Sequence, residues 1–71
     1  FMPIFIAPLN VELTITRILV DETTKKHLEN LGITVNSKIQ VLSSENGSVI
    51  VLVKEGRLAL DKNIAMKIFV A

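Results

Sequence analysis

The chain has 71 residues, of which 49% are apolar and 21% charged, so it is too short for two domains and too apolar for an intrinsically disordered protein. Its formal net charge of +1 creates no long-range field that would attract nucleic acid or anionic lipid. The sequence contains no cysteine, which excludes disulfide bonds and thiolate metal sites within it.

The N-terminal segment carries the longest apolar run, residues 1–9, which is interrupted by Pro3 and Pro8. A membrane-spanning helix needs about 20 apolar residues, so we expect no direct insertion into a membrane. No basic segment precedes the run and no small-residue cleavage site follows it, so a secretory signal is not expected either. Phe1 is interpreted as a residue left by expression, with Met2 as the native start.

Residues 11–20 begin with the two-residue alternation of a half-buried strand, because Leu13 and Ile15 share one face. The alternation then fails at Arg17, which stands where an inward-facing residue is due. An extra residue in one strand of an antiparallel pair interrupts the alternation of side chains between the two faces of the sheet. We therefore predict a β-bulge or a change of sheet curvature near Arg17.

A short helix is predicted over about residues 22–31. Asp21 or Thr23 can act as its N-cap, because a side-chain oxygen at that position accepts a hydrogen bond from a free backbone N–H of the first turn. Leu28 and Leu31 are three positions apart and therefore fall on one helical face.

Gly32 is predicted to end this helix in the left-handed conformation that glycine adopts at low steric cost. In the resulting Schellman motif the next residue, Ile33, folds back onto Leu28. Leu28, Leu31 and Ile33 then form a small hydrophobic cluster, which we call the clasp.

The middle of the chain is predicted to form a turn and a β-hairpin. Residues 34–37 are polar enough for a turn, with Asn36 able to adopt a positive φ, and residues 38–42 form the next strand. An Asn-Gly pair at positions 46–47 is a strong signal for a hairpin loop. Because the following residues 49–53 are continuously apolar, we interpret them as a central strand covered on both faces.

The C-terminal third is predicted to contain two more strands and a helical turn. A second tight turn at positions 55–56 leads into residues 57–60, where apolar and outward-facing residues alternate. Asp61 can cap a helical turn over about residues 61–65. Residues 67–70 form the last strand.

Five short strands, tight turns and little helix predict a mostly β fold, a small antiparallel barrel. Closure of such a barrel removes the exposed sheet edges. An open sheet with the helix on one face is the alternative. Residues 1–71 are expected to form this single domain.

The sequence offers little for catalysis. Because there is no cysteine, a Cys–His pair is impossible, and His27 is the one imidazole available for a triad. No glycine-rich phosphate loop is present. We therefore expect neither an enzyme nor a bound cofactor. His27 is a weak metal candidate, because the positions three and four residues away on the helix hold no usual ligand. Those positions are Thr23, Thr24, Asn30 and Leu31.

Binding of nucleic acid is not expected, because the basic residues are not clustered and the only aromatic residues are three phenylalanines. The same shortage of aromatic rings argues against a conventional barrel that reads proline-rich peptides.

Four segments carry a likeness to a known family. They are Ala7-Pro8-Leu9, His27-Leu28-Glu29-Asn30-Leu31-Gly32-Ile33, Ser37-Lys38-Ile39-Gln40-Val41-Leu42 and Arg57-Leu58-Ala59-Leu60. In this order and spacing the chain resembles the FeoA family, ferrous iron transport protein A, over nearly its whole length. Two turns depart from the family pattern. Residues 35–36 are Val-Asn where many members have Pro-Gly, and residues 44–47 make a tighter hairpin.

The resemblance implies an SH3-like barrel in the cytoplasm that docks, without catalysis, on the GTPase-linked ferrous iron transporter FeoB and modulates it. The docking site on FeoB is expected on its cytosolic G-protein domain or its membrane part. The same domain type is also fused to metal-dependent repressors, where it acts as an interaction module. The alternative is a protein that binds ferrous iron or another transition metal directly, and a weak homodimer is compatible with either role.

We predict that the partner-binding surface is the clasp with a basic rim, because interfaces pair an apolar centre with charged edges. The predicted contact residues are Leu28, Leu31, Ile33, Lys25, Lys26 and Arg57. The alternative is that the clasp belongs to the hydrophobic core, which we favour for Leu31 and Ile33.

Overall fold

The computed structural model describes residues 1–54 and 56–71, and this part of the chain forms six strands and two short helices. The strands are β1 (Met2–Pro3), β2 (Glu12–Ile18), β3 (Lys38–Glu45), β4 (Ser48–Val53), β5 (Gly56–Asp61) and β6 (Ile68–Val70). The helices are α1 (Glu22–Asn30) and α2 (Lys62–Ala65), and a 3₁₀ turn covers Ile4–Ile6. The predicted strands and helices are confirmed, and β1 is added to them. The tight turn predicted at positions 55–56 lies partly outside the described residues.

The strands form one antiparallel sheet in the order β1-β6-β2-β3-β4-β5, which confirms the predicted mostly β fold. The molecule measures 27 × 24 × 23 Å, so the sheet curves strongly around its core. Among the described residues, hydrogen bonding does not join the first and last strands of this order. The expectation that closure removes the sheet edges is therefore wrong at β1 and β5, each of which has a single neighbour within residues 1–54 and 56–71.

The predicted irregularity near Arg17 is a β-bulge. Ile15 lies opposite Val70 and Arg17 lies opposite Phe69, so Thr16 is the extra residue on β2. The Thr16 hydroxyl donates to the carbonyl oxygen of Phe69 at 3.2 Å, which fixes the bulged backbone. The bulge lies where β2 changes partners, since its first half pairs with β3 and its second half with β6.

The core lies on the inner face of the sheet, and β4 contributes to it with alternate residues only. Val49, Val51 and Val53 are buried, whereas Ile50 is half-buried and Leu52 is 39% exposed. The prediction that both faces of this strand are covered is therefore wrong. An antiparallel sheet can leave one face to solvent, and the apolar outward residues concealed this alternation in the sequence.

Residues with positive φ occupy the predicted turns. Asn46 and Gly47 have φ values of 50° and 78°, as a two-residue hairpin loop with the twist of the strands requires. Asn36 has a φ of 75° in the turn before β3. The hairpin and the turn are thus confirmed.

Both helices begin at an aspartate. The Asp21 carboxylate accepts a hydrogen bond from the backbone N–H of Thr24 at 3.0 Å, and the Asp61 carboxylate accepts one from Ile64 at 2.9 Å. These contacts satisfy N–H groups that the first turn of a helix leaves free. Neither α1 nor α2 is long and apolar enough to cross a membrane.

We expect the stability of the fold to depend on the charge of Asp21. Hydrogen bonds from the side chain and backbone of Thr24, together with the charge of Lys67, lower the pKa of Asp21 from 3.8. A carboxyl group with a lowered pKa stabilises the folded state above its unfolded pKa, and this contribution is lost as the pH falls through the folded pKa.

Substitution with asparagine isolates this contribution, because asparagine keeps the cap and removes the charge. The free energy of unfolding of Asp21→Asn should be lower than that of the parent at pH 7, and the two should converge below pH 3.8. Urea denaturation across this pH range measures the difference. A difference that persists unchanged at the lowest pH would contradict the assignment.

Candidate interaction surface

The end of α1 has the backbone geometry that the sequence predicts. Gly32 adopts a φ of 90°, and its N–H donates to the carbonyl of Glu29 at 3.0 Å. The N–H of Ile33 donates to the carbonyl of Leu28 at 2.9 Å. These two hydrogen bonds define a Schellman motif, so the predicted fold-back of Ile33 onto Leu28 is confirmed.

The three clasp residues do not form one exposed surface. Leu28 is 3% exposed and Ile33 is fully buried, and both belong to the hydrophobic core. Their burial removes them from the residues that can touch a partner. Leu31 is half-buried at the helix end, so it is the clasp residue with surface left for contact.

The predicted basic rim lies on two different elements. Lys25 is half-buried and Lys26 is exposed, both on α1. Arg57 is exposed on β5, where it lies opposite Leu52 of β4. Arg57 therefore belongs to the outer face of the sheet rather than to the helix.

An open groove lies between Gly32, which follows the clasp residue Leu31, and Leu52, which lies opposite Arg57. Its volume is about 610 Å³. Its lining comes from Gly32 after α1, from the turn that follows, and from β2, β3 and the end of β4. The lining residues are Glu12, Gly32, Thr34, Asn36, Ser37, Lys38, Ile39, Gln40, Leu52, Val53 and Lys54. The groove thus begins beside Leu31 and reaches the neighbour of Arg57.

The outer face of the sheet supplies the floor of this groove as a cross-strand row. Glu12 lies opposite Gln40, Gln40 opposite Leu52, and Leu52 opposite Arg57. Side chains directly opposite one another in an antiparallel sheet share a face and lie about 5 Å apart. Leu52 is therefore an exposed apolar residue between two polar neighbours.

Among the described residues, the lining of the groove carries more positive than negative charge. Lys38 and Lys54 line it together with one carboxylate, Glu12. The Lys38 ammonium donates to the hydroxyl of Thr14 at 2.8 Å, which holds it along the outer face of the sheet. With Arg57 at its border, the groove is suited to a partner segment that is acidic with an apolar centre.

The turn that forms one wall of the groove is closed by Ser37. Its hydroxyl accepts a hydrogen bond from the N–H of Thr34 at 3.2 Å and donates one to the carbonyl of Thr34 at 2.6 Å. This double contact fixes the backbone between the clasp and β3.

We expect Ser37→Ala to lower the free energy of unfolding by about 1 kcal/mol, because the hydrogen bonds to Thr34 are lost in a half-buried turn. Ser44→Ala is the matched control, since Ser44 is exposed on β3. Chemical denaturation of both variants measures the difference. Equal stability of the two would show that the Ser37 hydroxyl contributes nothing.

The metal candidate lies apart from this groove. His27 is exposed in the last turn of α1. Among residues 1–54 and 56–71, no three histidine, cysteine, aspartate or glutamate side chains lie together in a group that could hold a metal ion.

Sequence reasoning missed the groove residues Leu52, Lys38 and Lys54. For Leu52 the sequence gives no signal, because residues 49–53 are continuously apolar and only the structure shows that Val51 and Val53 are the inward-facing residues. For the two lysines the sequence carries no signal either, since their proximity depends on how β3 and β4 pair.

Comparison with known proteins gives one consistent result. The model of the FeoA domain matches residues 2–71. A protein of Methanocaldococcus jannaschii, named as a proposed Fe(2+) transport protein A, is 38% identical over 45 residues. That match spans 63% of this chain and 55% of the relative's length.

Solved structures have the same fold. The crystal structure of an iron uptake regulatory protein (FeoA) superposes with a TM-score of 0.86 at 26% identity, covering 97% of this chain and 93% of that one. The FeoA protein from Chlorobium tepidum, solved by NMR, gives a TM-score of 0.83 at 19% identity, with 97% and 68% covered. The FeoA-like protein from Clostridium acetobutylicum gives 0.81 at 14% identity, with 99% and 84% covered. The sheet is therefore of the SH3-like type.

Proposed function

The chain belongs to the FeoA family, and from this premise we propose that it is a non-catalytic adaptor of ferrous iron transport. In this role it docks on a FeoB-type transporter from the cytoplasmic side and modulates it. The groove between the clasp and Arg57 is the docking surface, and it takes an acidic segment of the transporter with an apolar centre.

The observation that carries this proposal is the position of Leu52. A large apolar side chain, 39% exposed, lies in a groove bordered by Lys38, Lys54 and Arg57. An apolar centre within a charged rim is the usual arrangement at protein interfaces. The surface needs no catalytic group, which agrees with the lack of a catalytic motif in the sequence.

The charge of the groove bears on how docking depends on salt. Long-range attraction between the basic rim and an acidic partner raises the rate of association and is screened at a Debye length of about 8 Å at physiological salt. Docking should therefore weaken as salt is raised.

An NMR titration tests the proposal. The isotope-labelled chain is titrated with the soluble G-protein domain of its cognate transporter, once with a GTP analogue and once with GDP. We expect amide shifts at Gly32, Thr34, Leu52 and Arg57, and none at Met66, which lies in the loop after α2. No shift in either nucleotide state would reject docking on this domain. Shifts confined to the surface around Met66 would reject the groove.

A further inference from the structure

The two edges of the sheet differ in how well they are protected. β1 has two residues and ends at Pro3, which has no N–H to offer. β5 has six residues that pair with β4 in an unbroken register. In the described part of the chain no strand pairs with the other side of β5. Short strands, proline and bulges are among the usual protections of an edge, and β5 has none of these three. Its charged residues, Arg57 and Asp61, are of opposite sign.

The register shows which backbone groups of β5 are free. Ser48 closes the two-residue loop at positions 46–47 and bonds to β3, because the pair that closes such a loop exchanges both backbone hydrogen bonds. The backbone groups of the next residue, Val49, therefore face β5, where its partner is Leu60. Hydrogen-bonded pairs then recur at every second residue, so Leu58 and Leu60 bond to β4. Arg57 and Ala59 direct their N–H and C=O groups to the open side.

The side chains of this edge are self-complementary. In an antiparallel pair of two β5 strands with Ala59 at the centre, Arg57 of each copy lies opposite Asp61 of the other. The same register places Leu58 opposite Leu60 on the inner face. Centring the pair on Arg57 or on Asp61 would place like charges opposite one another, which is unfavourable.

Asp61 can take part without giving up its role in α2. One carboxylate oxygen accepts the hydrogen bond from the N–H of Ile64, and the other oxygen remains for an arginine of a second copy. Arg57, Ala59 and Asp61 all lie on the outer face of β5, since their partners on β4 are the outward residues.

We propose that β5 is a self-association edge: two copies of the chain pair through it, antiparallel and two-fold symmetric, with two Arg57–Asp61 contacts. This goes beyond the adaptor function, because it requires no transporter. The dimer extends the sheet from one copy into the other. A short strand pair of this kind is weak, with a dissociation constant of about 1 mM or somewhat below.

Sedimentation equilibrium and amide exchange on the purified chain test the proposal. The weight-average mass should rise with concentration towards that of a dimer. On concentration, the amide protons of Arg57 and Ala59 should exchange more slowly with solvent, while those of Leu58 and Leu60 should not change. A chain that stays monomeric up to about 1 mM would overturn the proposal.

Ala59→Pro is the sharpest variant. It removes an N–H that does not bond to β4, so the monomer should fold, as proline is tolerated on an edge strand with this orientation. Dimer formation should be abolished. A two-dimensional NMR spectrum verifies the fold of the variant, and a dimer that survives this substitution would overturn the proposal.

Charge variants test the edge without proline. Arg57→Glu should weaken the dimer at least tenfold, because it places Glu opposite Asp61. Adding Asp61→Asn, which keeps the helix cap, should recover part of that loss. Lys26→Glu, the same charge change on α1, is the matched control and should have no effect. Equal effects of Arg57→Glu and Lys26→Glu would contradict the assigned register. Because these measurements use the purified chain alone, their failure is distinguishable from a failure of docking on the transporter.

Discussion

Replacing Leu28 with alanine is expected to lower the free energy of unfolding by about 3 kcal/mol. The Leu28 side chain is 3% exposed and belongs to the core cluster. Truncation to alanine removes buried methyl groups and leaves a cavity that the surrounding sheet can fill only in part. In a domain of this size, such a loss is a large share of the total stability.

Leu31→Ala is the matched control, because it makes the same chemical change at the other leucine of the clasp. Leu31 is half-buried, so the expected loss is about 1 kcal/mol. Urea denaturation measures the free energy of unfolding of both variants. The slope of this free energy against urea concentration should be the same in each. If the two substitutions cost the same, Leu28 does not have the core position described here. If only Leu31→Ala weakens docking, the clasp divides into a core residue and a contact residue.

The second large effect concerns docking. Leu52→Ala should weaken binding to the transporter's G-protein domain about tenfold, or 1.4 kcal/mol. The reason is that an apolar residue at the centre of an interface contributes more than the rim around it. The Leu52→Ala variant should still fold, because Leu52 is partly exposed in the free chain.

Met66→Ala is the control for this experiment, since Met66 is 41% exposed and does not line the groove. Binding should be unchanged in that variant. The dissociation constants follow from the NMR titration of each protein. Equal weakening by both substitutions would indicate a general loss of structure, and no weakening by Leu52→Ala would place the interface elsewhere.

Local chemistry made much of this fold predictable. The caps at Asp21 and Asp61, the left-handed Gly32 and the bulge near Arg17 each follow from a residue type at a fixed place. These features depend on neighbours within a few positions along the chain, and such neighbours are visible in a sequence.

The features that depend on distant pairing were not predictable in this way. A continuous apolar run such as residues 49–53 gives no sign of which face is inward, so Leu52 was assigned to a covered strand. The open edge at β5 likewise depends on which strands become neighbours. Spacing placed Leu28 and Leu31 on one helical face, but it could not tell which of them reaches the core.

The position of β6 bears on how the chain reaches its folded state. β6 inserts between β1 and β2, and its residues Ile68 and Val70 are fully buried. The pairing of β1 and β2 in the sheet is therefore complete only when β6 is in place. During synthesis the hairpins β3–β4 and β4–β5 can form early from local pairing, whereas β1 and the second half of β2 gain their partner β6 only once residue 70 has emerged. Such long-range pairing slows folding, so we expect the pairing of β6 with β1 and β2 to be the slowest step in folding.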